Sequence, residues 1–329
     1  MGYANDYLCP KNTVILGRKG TINRPIYADV EFWNVDTAFG LIANSERLSS
    51  KYLYYFCVHF DFERLSTTVT IPSLTKANLL KIEIPLPPLD EQERIAAELD
   101  AVVATLKKRR AQLAELNALV EARFVELFGA LGTNPRNFAT VALGDVCRVN
   151  PKKNAALFPN DDFLVSFVPM PAVSERGEID ASSVRAYRDV KKGFTSFEEN
   201  DVLFAKITPC MENGKGAVAR GLKNGVGFGS TGFHILRPTA GVANPFWLYQ
   251  ITAFRQFRVD AEKKMTGSAG QRRVPAVFLE NYRVALPPFE LQERFAAEVE
   301  RVEALKATVR DGIAETQTLF DALSQRYFG

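Results

Sequence analysis

The sequence predicts an α+β protein: two β-rich α+β globular domains, the first of them partial, separated by two long helices that pair as a coiled coil. Three observations support this prediction. Residues 86–129 recur as residues 286–329 at a constant offset of 200, without a gap and with 18 identical positions. Each copy has apolar residues at coiled-coil spacing and no proline after its first residues. The segments in front of the copies hold short β-prone runs with frequent glycine and proline.

Composition sets the limits for function. The chain has 329 residues, of which 47% are hydrophobic and 24% are charged, with a net charge of +3. These values fit an ordinary globular protein, and any basic surface must be local. No apolar run is long enough to span a membrane, and the first residues lack the features of a signal peptide, so we expect a cytoplasmic protein. The four scattered cysteines (Cys9, Cys57, Cys147 and Cys210) and two histidines do not predict a metal site.

Residues 1–85 are predicted to form the first, partial domain. The β-branched and apolar run Thr13–Leu16 predicts a strand, and residues 33–42 supply further strand. Residues 51–60 are dense in aromatic side chains, which predicts a helix buried on one side. Nothing in this domain corresponds to residues 142–146 of the second domain, so we expect it to begin part-way through the repeated unit.

Residues 86–129 are predicted to form the first long helix. The pair Pro87-Pro88 permits a helix to start after it, and no proline follows before Gly129. Apolar residues then recur in steps of three and four, interrupted by Arg109. The predicted seam residues of this copy are Ile95, Leu99, Val102, Leu106, Leu113, Leu116 and Val120.

Residues 130–285 are predicted to form a second domain that repeats the order of the first. The matched segments are 200–206 with 12–18, 230–236 with 36–42, 244–249 with 49–54, and 274–277 with 71–74. The match to residues 49–54 makes Asn244-Pro245 the start of a helix.

Residues 286–329 are predicted to form the second long helix. Its predicted seam residues are Phe295, Val299, Val302, Val309, Ile313 and Phe320. Lys306 and Thr316 interrupt this seam, and polar groups at such positions commonly fix register and partner. A long helix with a narrow apolar stripe needs a partner, and the other copy is the obvious one. Two unrelated amphipathic helices on local cores are the alternative.

The pattern Leu-Pro-Pro-x3-Gln-Glu-Arg-x-Ala-Ala-Glu, present at 86–98 and again at 286–298, resembles the specificity subunits of type I restriction-modification systems. The block 201–217 and the segment Gly267–Gln271, with Val274-Pro275 behind it, also resemble that family's target recognition domains. Two features depart from the family pattern: the incomplete first domain, and Gly232 where we expect an acidic residue.

The resemblance implies a non-catalytic protein without cofactors that recognises double-stranded DNA. Each domain would read one half of a split target, and the two long helices, packed as an antiparallel coiled coil, would set the spacing. The implied partners are adenine methyltransferase subunits and a restriction or translocase subunit, with self-association through the incomplete domain as an option and no membrane. A type II specificity subunit of the same design, and an assembly or competitor protein without defined DNA reading, stay open as alternatives.

Reading base edges requires Arg, Lys, Asn or Gln side chains on loops. The candidate DNA-binding residues are Arg18, Lys19 and Asn23 in the first domain, and Lys206, Asn213, Lys215, Lys263, Lys264, Gln271, Arg272 and Arg273 in the second. For each, a solvated surface side chain is the competing interpretation, and phosphate contact is favoured over base contact. The run Lys107–Arg110 fits DNA steering, an acidic partner surface or a solvated helix face.

Other motifs are weak signals for chemistry. Gly225-x-Gly227-x-Gly229 lacks the Lys-Ser/Thr of a phosphate-binding loop, and a β-turn is favoured. Asn244-Pro245-Phe246-Trp247 is superficially similar to a methyltransferase loop but lacks its second proline. Asp260 and Glu262 have no partnered acid on an upstream strand, as a nuclease would require. Both histidines lie in apolar surroundings and are interpreted as structural. The sequence predicts no catalytic site.

Overall fold

A computed structural model describes residues 6–66, 71–268 and 270–329. The chain divides into two compact units: Met1–Leu113 with Ala307–Gly329, and Ala114–Lys306. Each unit therefore combines a globular region with parts of both long helices. Residues 1–5, Thr67–Thr70 and Ala269, which belong to segments quoted above, lie outside the described residues.

The described globular part of the first unit is built on a small antiparallel sheet. Its elements are β1 (Thr13–Gly17), β2 (Ile26–Ala28), β3 (Ala38–Leu41), α1 (Ser50–His59) and α2 (Lys76–Leu79), followed by the long helix α3 (Leu89–Phe128). The sheet has the order β2-β1-β3. Tyr52, Tyr55 and Phe56 of α1 are buried in one core with Val14 and Leu16 of β1. The predicted strand and the predicted one-sided helix are confirmed.

The second unit contains more strands. Its elements are β4 (Ala139–Ala142), α4 (Leu143–Val146), β5 (Cys147–Val149), β6 (Leu164–Val168), β7 (Val184–Ala186), α5 (Tyr187–Val190), β8 (Thr195–Glu198), β9 (Val202–Ala205), β10 (Gly216–Val218), β11 (Val226–Gly229), β12 (Phe233–Pro238), α6 (Pro245–Ala253), α7 (Arg255–Lys263), α8 (Ala276–Asn281), β13 (Arg283–Leu286) and the long helix α9 (Phe289–Phe328). Its sheets have the orders β10-β9-β12-β5, β7-β6-β11-β8 and β13-β4. The described residues thus form an α+β protein, as predicted.

The glycine-rich segment of the second unit is only partly a turn. Gly225 has a positive φ of 71°, which fits the predicted turn. Gly227 and Gly229 instead lie in β11, where a Cβ on Gly227 would come within 2.4 Å of the Phe197 ring. The β-turn prediction is therefore wrong for these two glycines, because close packing of β11 against its neighbours requires residues without side chains.

The two units repeat one strand ladder. Val14 of β1 pairs with Leu41 of β3, and Val202 of β9 pairs with Leu236 of β12. Leu236 therefore corresponds to Leu41, whereas the matched segments paired it with Ile42. This prediction is wrong by one residue, and such a shift moves each side chain to the opposite face of the sheet. Adjacent aliphatic residues did not distinguish the two registers.

A buried glutamine fastens each long helix to its globular region. The side chain of Gln92 accepts a hydrogen bond from the Ser49 N–H at 2.9 Å and donates to the carbonyl of Pro87 at 2.8 Å. Gln292 makes the same contacts, from the Asn244 N–H at 2.9 Å and to Pro287 at 2.9 Å. Both side chains are fully buried. The first glutamine of the repeated Gln-Glu-Arg motif therefore joins the N-terminus of α1 or α6 to the first turn of the following helix.

The long helices pack antiparallel in both units. In the first unit, Ile95 near the start of α3 shares a core with Phe328 at the end of α9. In the second unit, Phe124 near the end of α3 meets Phe295 near the start of α9 edge to face, with ring centroids 5.5 Å apart. The predicted antiparallel helix pair is confirmed. Each predicted seam residue of both copies is buried or half-buried.

Two of the polar interruptions of the seam meet each other. Arg109 Nη1 donates to Thr316 Oγ1 at 2.6 Å and to the carbonyl oxygen of Gly312. A Cβ on Gly312 would lie 2.6 Å from this nitrogen, so the glycine makes room for the guanidinium. Lys306 is buried and pairs with Glu303 of its own helix at 2.5 Å.

Candidate nucleic-acid interface

The second unit brings most of its candidate DNA-binding residues to two neighbouring loops. Residues 206–215 join β9 to β10, and residues 264–275 join α7 to α8. The Val274 N–H donates to the Lys206 carbonyl at 2.9 Å, and the Thr208 N–H donates to the Arg272 carbonyl at 3.1 Å. We call the surface of these two joined loops the cationic loop pair.

Lys206 and Arg273 lie side by side in the cationic loop pair. Arg273 forms a backbone bridge with Ile207. Burial lowers the pKa of Lys206, and the positive charge of Arg273 lowers it further. Within the described part of the chain, neither side chain has a carboxylate partner. Two adjacent cations without a counter-charge favour an anion such as a DNA phosphate.

Arg272 has different surroundings from Arg273. Its Nη2 lies 3.5 Å from Glu212 Oε1 and 3.3 Å from Glu262 Oε1. The same oxygen of Glu212 accepts a hydrogen bond from the Thr208 hydroxyl at 2.8 Å. Arg272 therefore connects α7 to the first loop, although the sequence grouped it with Arg273 in one cluster.

The other candidates of the second unit also fall into two groups. Lys215 donates to the carbonyl of Val173 at 3.1 Å, and Lys263 pairs with Asp260 at 3.2 Å. Their charges are thus already engaged within the unit. Exposed side chains whose polar atoms have no partner among the described residues are Asn213, Lys264 and Gln271.

The first unit displays two cations at the corresponding place. Arg18 follows β1 as Lys206 follows β9, and the Leu74 N–H donates to the Arg18 carbonyl at 2.9 Å. Arg18 and Lys19 are both exposed. The guanidinium of Arg18 lies over the ring of Phe39, 5.9 Å from its centroid. The turn after β1 therefore presents two charges to solvent from an ordered backbone.

Asn23, the third candidate of the first unit, is engaged at both ends of its amide. Its Nδ2 donates to Asp61 Oδ1 at 2.9 Å, and its Oδ1 accepts from the Phe62 N–H at 2.7 Å. Its contacts therefore fasten the turn after β1 to the segment that follows α1. The sequence carried no signal for this pairing, because the partners lie far along the chain.

Two buried side chains outside the set of candidate residues donate hydrogen bonds to backbone carbonyls of the cationic loop pair. His234 contacts the Val274 carbonyl through Nε2 at 2.8 Å, and burial lowers its pKa to about 4. The neutral ring thus donates from Nε2. Arg258 of α7 is buried and donates to the Met211 carbonyl at 2.7 Å. Burial lowers the pKa of Arg258 to about 10. Structural roles of this kind agree with the interpretation of His234 as non-catalytic.

Comparison with known proteins finds a family model that matches the first part of the chain. Residues 1–118 match the model of the type I restriction modification DNA specificity domain. The chain is 37% identical over 220 residues to the specificity subunit of the type I restriction enzyme EcoAI of Escherichia coli, covering 64% of this chain and 35% of that protein. It is 39% identical over 162 residues to the EcoEI specificity subunit of Escherichia coli, covering 49% and 27%. The matches thus span only 35% and 27% of the length of these two relatives.

Solved structures show the same fold. The S subunit of the type I restriction-modification system from M. genitalium superposes with a TM-score of 0.57 at 15% identity, covering all of this chain and 86% of that one. A chain from a study of complex assembly and conformational transition of the type I R-M system gives a TM-score of 0.54 at 21% identity, covering 97% and 82%. The resemblance inferred from the repeated motif is confirmed. Among the described residues, no helix is long and apolar enough to cross a membrane.

Proposed function

We propose that this chain, which carries a type I restriction-modification DNA specificity domain, is the sequence-specific DNA-recognition subunit of a restriction-modification complex. It reads a split target in double-stranded DNA, with one half-site for each globular region. It has no catalytic role of its own, and adenine methyltransferase and restriction subunits dock on it.

The observation that carries this proposal is the repetition of a basic turn on one scaffold. In both units the first strand of the shared ladder is followed by a cation, Arg18 or Lys206, whose carbonyl accepts a hydrogen bond from the N–H of Leu74 or Val274. Cations on ordered loops bind phosphates and place neighbouring polar side chains at base edges. In the second unit, the exposed amides of Asn213 and Gln271 are suited to that reading. Two copies of the arrangement suit a target with two halves.

We assign the role of a spacer between the two half-sites to the long helices. Each has 40 residues, which corresponds to a length of about 60 Å at 1.5 Å per residue. DNA rises by about 3.4 Å per base pair, so the length of a spacer sets the number of base pairs between two half-sites. Joining two weak half-site readers also raises their combined affinity through effective concentration.

Mapping of methylated adenines tests this function. The chain is co-expressed with an adenine methyltransferase subunit from its own source organism in a host that lacks adenine methylation, and the host genome is sequenced for modified bases. We expect one split motif that is modified on both strands. A methylated motif that consists of a single half-site would show that only one unit reads DNA. A stable complex that leaves no methylation motif would overturn the proposal and favour the assembly protein.

A further inference from the structure

A second group of cations in the second unit lies outside the cationic loop pair. Lys152 and Lys153 come shortly after β5, and Lys192 comes shortly after α5. Lys153 Nζ donates to the Lys191 carbonyl at 3.4 Å, which brings the two segments together. Lys152, Lys153 and Lys192 are all exposed. We call these three residues the lysine patch.

The ammonium group of Lys153 is held in place without being neutralised. It donates to the Tyr187 hydroxyl at 2.8 Å and lies 5.0 Å from the centroid of the same ring. Tyr187 stacks on Phe158, with ring centroids 4.2 Å apart and an angle of 6° between the ring planes. Because the side chain of Lys153 is already ordered, contact with an anion costs it little further conformational entropy.

The carboxylates beside the lysine patch have other cationic partners. Asp161 pairs with Lys191 at 2.8 Å. Arg188 pairs with Asp162 and lies 3.9 Å from Asp189. Within the described part of the chain, no member of the lysine patch has a carboxylate partner. Together these segments carry five cations and three carboxylates, so this surface stays positive.

The lysine patch follows a strand that ends at the same end of its sheet as the strand before the cationic loop pair. β9 and β5 both pair antiparallel with β12, so their carboxyl ends lie at one end of the sheet β10-β9-β12-β5. Lys206 follows β9 directly, and Lys152 comes three residues after the last residue of β5. One strand separates β9 from β5, which corresponds to about 10 Å.

Asn150 joins the start of the segment after β5 to the cationic loop pair. Its Nδ2 donates to His234 Nδ1 at 2.9 Å, and Nε2 of the same ring contacts the Val274 carbonyl at 2.8 Å. The Cα of Lys152 lies within about 7 Å of that of Asn150, because two residues of chain span no more. The lysine patch therefore begins beside a support of the loop pair.

These dimensions suit a second contact with the DNA backbone. The major groove is about 12 Å wide, so a loop that enters it has a phosphate backbone on either side. Lysine binds phosphate as a point charge. A backbone offers such charges at regular intervals, which match several exposed lysines on adjacent segments.

We infer that the lysine patch binds the phosphate backbone beside the bases that the cationic loop pair reads. It thereby holds the second unit on DNA without regard to sequence and positions the loop pair over its half-site. The inference rests on the proposed function, because it adds a contact to the same DNA complex. Binding of an acidic protein segment is the competing outcome of the test.

Removal of two lysines tests the inference through the salt dependence of DNA binding. Full-length chain with Lys152→Ala and Lys192→Ala is compared with the wild type by fluorescence anisotropy at several salt concentrations. The probes are a duplex selected by the wild type from a random pool and an unrelated duplex. We expect affinity for both to fall about tenfold, and the slope of log affinity against log salt to fall by about two, because two phosphate contacts are lost. The base preference should not change.

Two further double variants are the controls. Lys223→Ala with Arg255→Ala removes two exposed cations of the same unit, one before the start of β11 and one at the start of α7. The loop pair follows the other end of α7, and this variant should change affinity by less than about twofold. Lys152→Arg with Lys192→Arg keeps both charges and should keep the affinity and the salt slope.

Ethylation of single phosphates in the selected duplex locates the contact. For the wild type, we expect interference with binding at phosphates just outside the half-site of the second unit. The same ethylated duplexes should bind the Lys152→Ala, Lys192→Ala variant as well as the unmodified duplex does. Wild-type interference confined to the half-site would overturn the inference.

The remaining outcomes separate the inference from the proposed function. Unchanged affinity in the lysine variant, a loss equal to that of the Lys223 and Arg255 control, or an altered base preference would overturn the inference alone. So would weaker association with the methyltransferase subunit while DNA binding stays intact, which would assign the patch to an acidic protein segment. A wild-type chain that binds neither duplex would overturn the proposed function as well.

Discussion

The two globular regions share one scaffold but differ at the surface proposed to meet DNA. Both have the same ladder of strands and the same glutamine contact with the following helix. The second unit adds a neighbour to the ladder, β5, and a further sheet of order β7-β6-β11-β8. The Leu74 and Val274 N–H groups make equivalent bonds to Arg18 and Lys206, so the match of residues 274–277 with 71–74 is wrong by three residues. At the loop before α8, the second unit therefore has Arg272-Arg273 where the first has Pro72-Ser73 before α2. The two units therefore share the strand ladder and the glutamine contact but differ in the side chains on their loops.

The comparison separates the contacts that both units need for their shared fold from the contacts that differ between them. Contacts that recur are made by backbone groups or by a buried side chain, as in the bonds of Gln92 and Gln292. Contacts that differ involve charged side chains at loop tips, as in the pairing of Arg272 with Glu262. Loops on a rigid frame vary freely because their side chains contribute little to the core. Specificity can thus change without a change of fold.

The largest effect is expected at the shared glutamines. Gln92→Met and Gln292→Met each remove a buried amide and leave backbone groups without partners, so each should lower the free energy of unfolding by about 4 kcal/mol. Denaturant titration measures the loss. Gln112→Met, at an exposed position of α3, is the control and should change stability little. A loss of stability in only one of the two variants would show that Gln92 and Gln292 do not have equivalent roles.

His234 should make the stability of the second unit depend on pH. Its pKa of about 4 lies below the ordinary value of 6.5, because burial disfavours the charged ring and Lys206 is nearby. The unfolded chain takes up the proton first, so stability present above pH 6.5 is lost as pH falls toward 4. The loss amounts to about 3 kcal/mol in total.

The matched control for this pH dependence is His234→Phe, which copies the residue found at the equivalent position, Phe39. Urea titrations of both proteins between pH 7 and pH 4 make the comparison. In the variant, the free energy of unfolding should fall less steeply between pH 7 and pH 4, because the contribution of His234 is absent. An unchanged pH dependence of that free energy would contradict the role assigned to His234.

Removal of the two adjacent cations of the second unit should weaken DNA binding by an intermediate amount. Lys206→Ala combined with Arg273→Ala should weaken the free energy of DNA binding by about 2 kcal/mol. It should also lower the slope of log affinity against log salt by about two, because two phosphate contacts are lost. Fluorescence anisotropy at several salt concentrations measures both quantities. Lys223→Ala, an exposed cation of the same unit, should leave the salt slope unchanged.

The smallest effect is expected in the helix seam. Thr316→Val removes the acceptor of Arg109 and should lower the free energy of unfolding by about 1 kcal/mol, since the half-exposed guanidinium regains water. Thr318→Val is the control, because its hydroxyl bonds only to the Ala314 carbonyl of its own helix. Equal losses in thermal melts of the two variants would show that the seam contact adds nothing.

The sequence was sufficient for the elements that repeat. A gap-free duplication with heptad spacing predicts two matched helices, and their pairing buries Phe124 against Phe295 as such a seam should. The strand of residues 13–16 and the helix of residues 51–60 were also readable, because their residue types and spacing carry local signals. Local pattern thus gave the frame of the fold.

The sequence was insufficient where partners are distant in the chain. Arg272 and Arg273 look alike as neighbours, yet only one of them meets Glu212 and Glu262. Asn23 looks like a free turn residue until Asp61 is placed beside it. Strand register was misread by one residue because aliphatic neighbours are interchangeable in a match. Such features depend on tertiary contacts, which no local pattern encodes.

Selection of DNA targets from a random pool tests the central claim most directly. Purified chain is mixed with random duplexes, and the bound fraction is sequenced for the wild type, for Arg18→Ala with Lys19→Ala, and for Lys206→Ala with Arg273→Ala. The account predicts two half-sites separated by a constant gap. Each double variant should lose sequence preference in a different half-site. One contiguous site, or a pool without any enriched sequence, would contradict it.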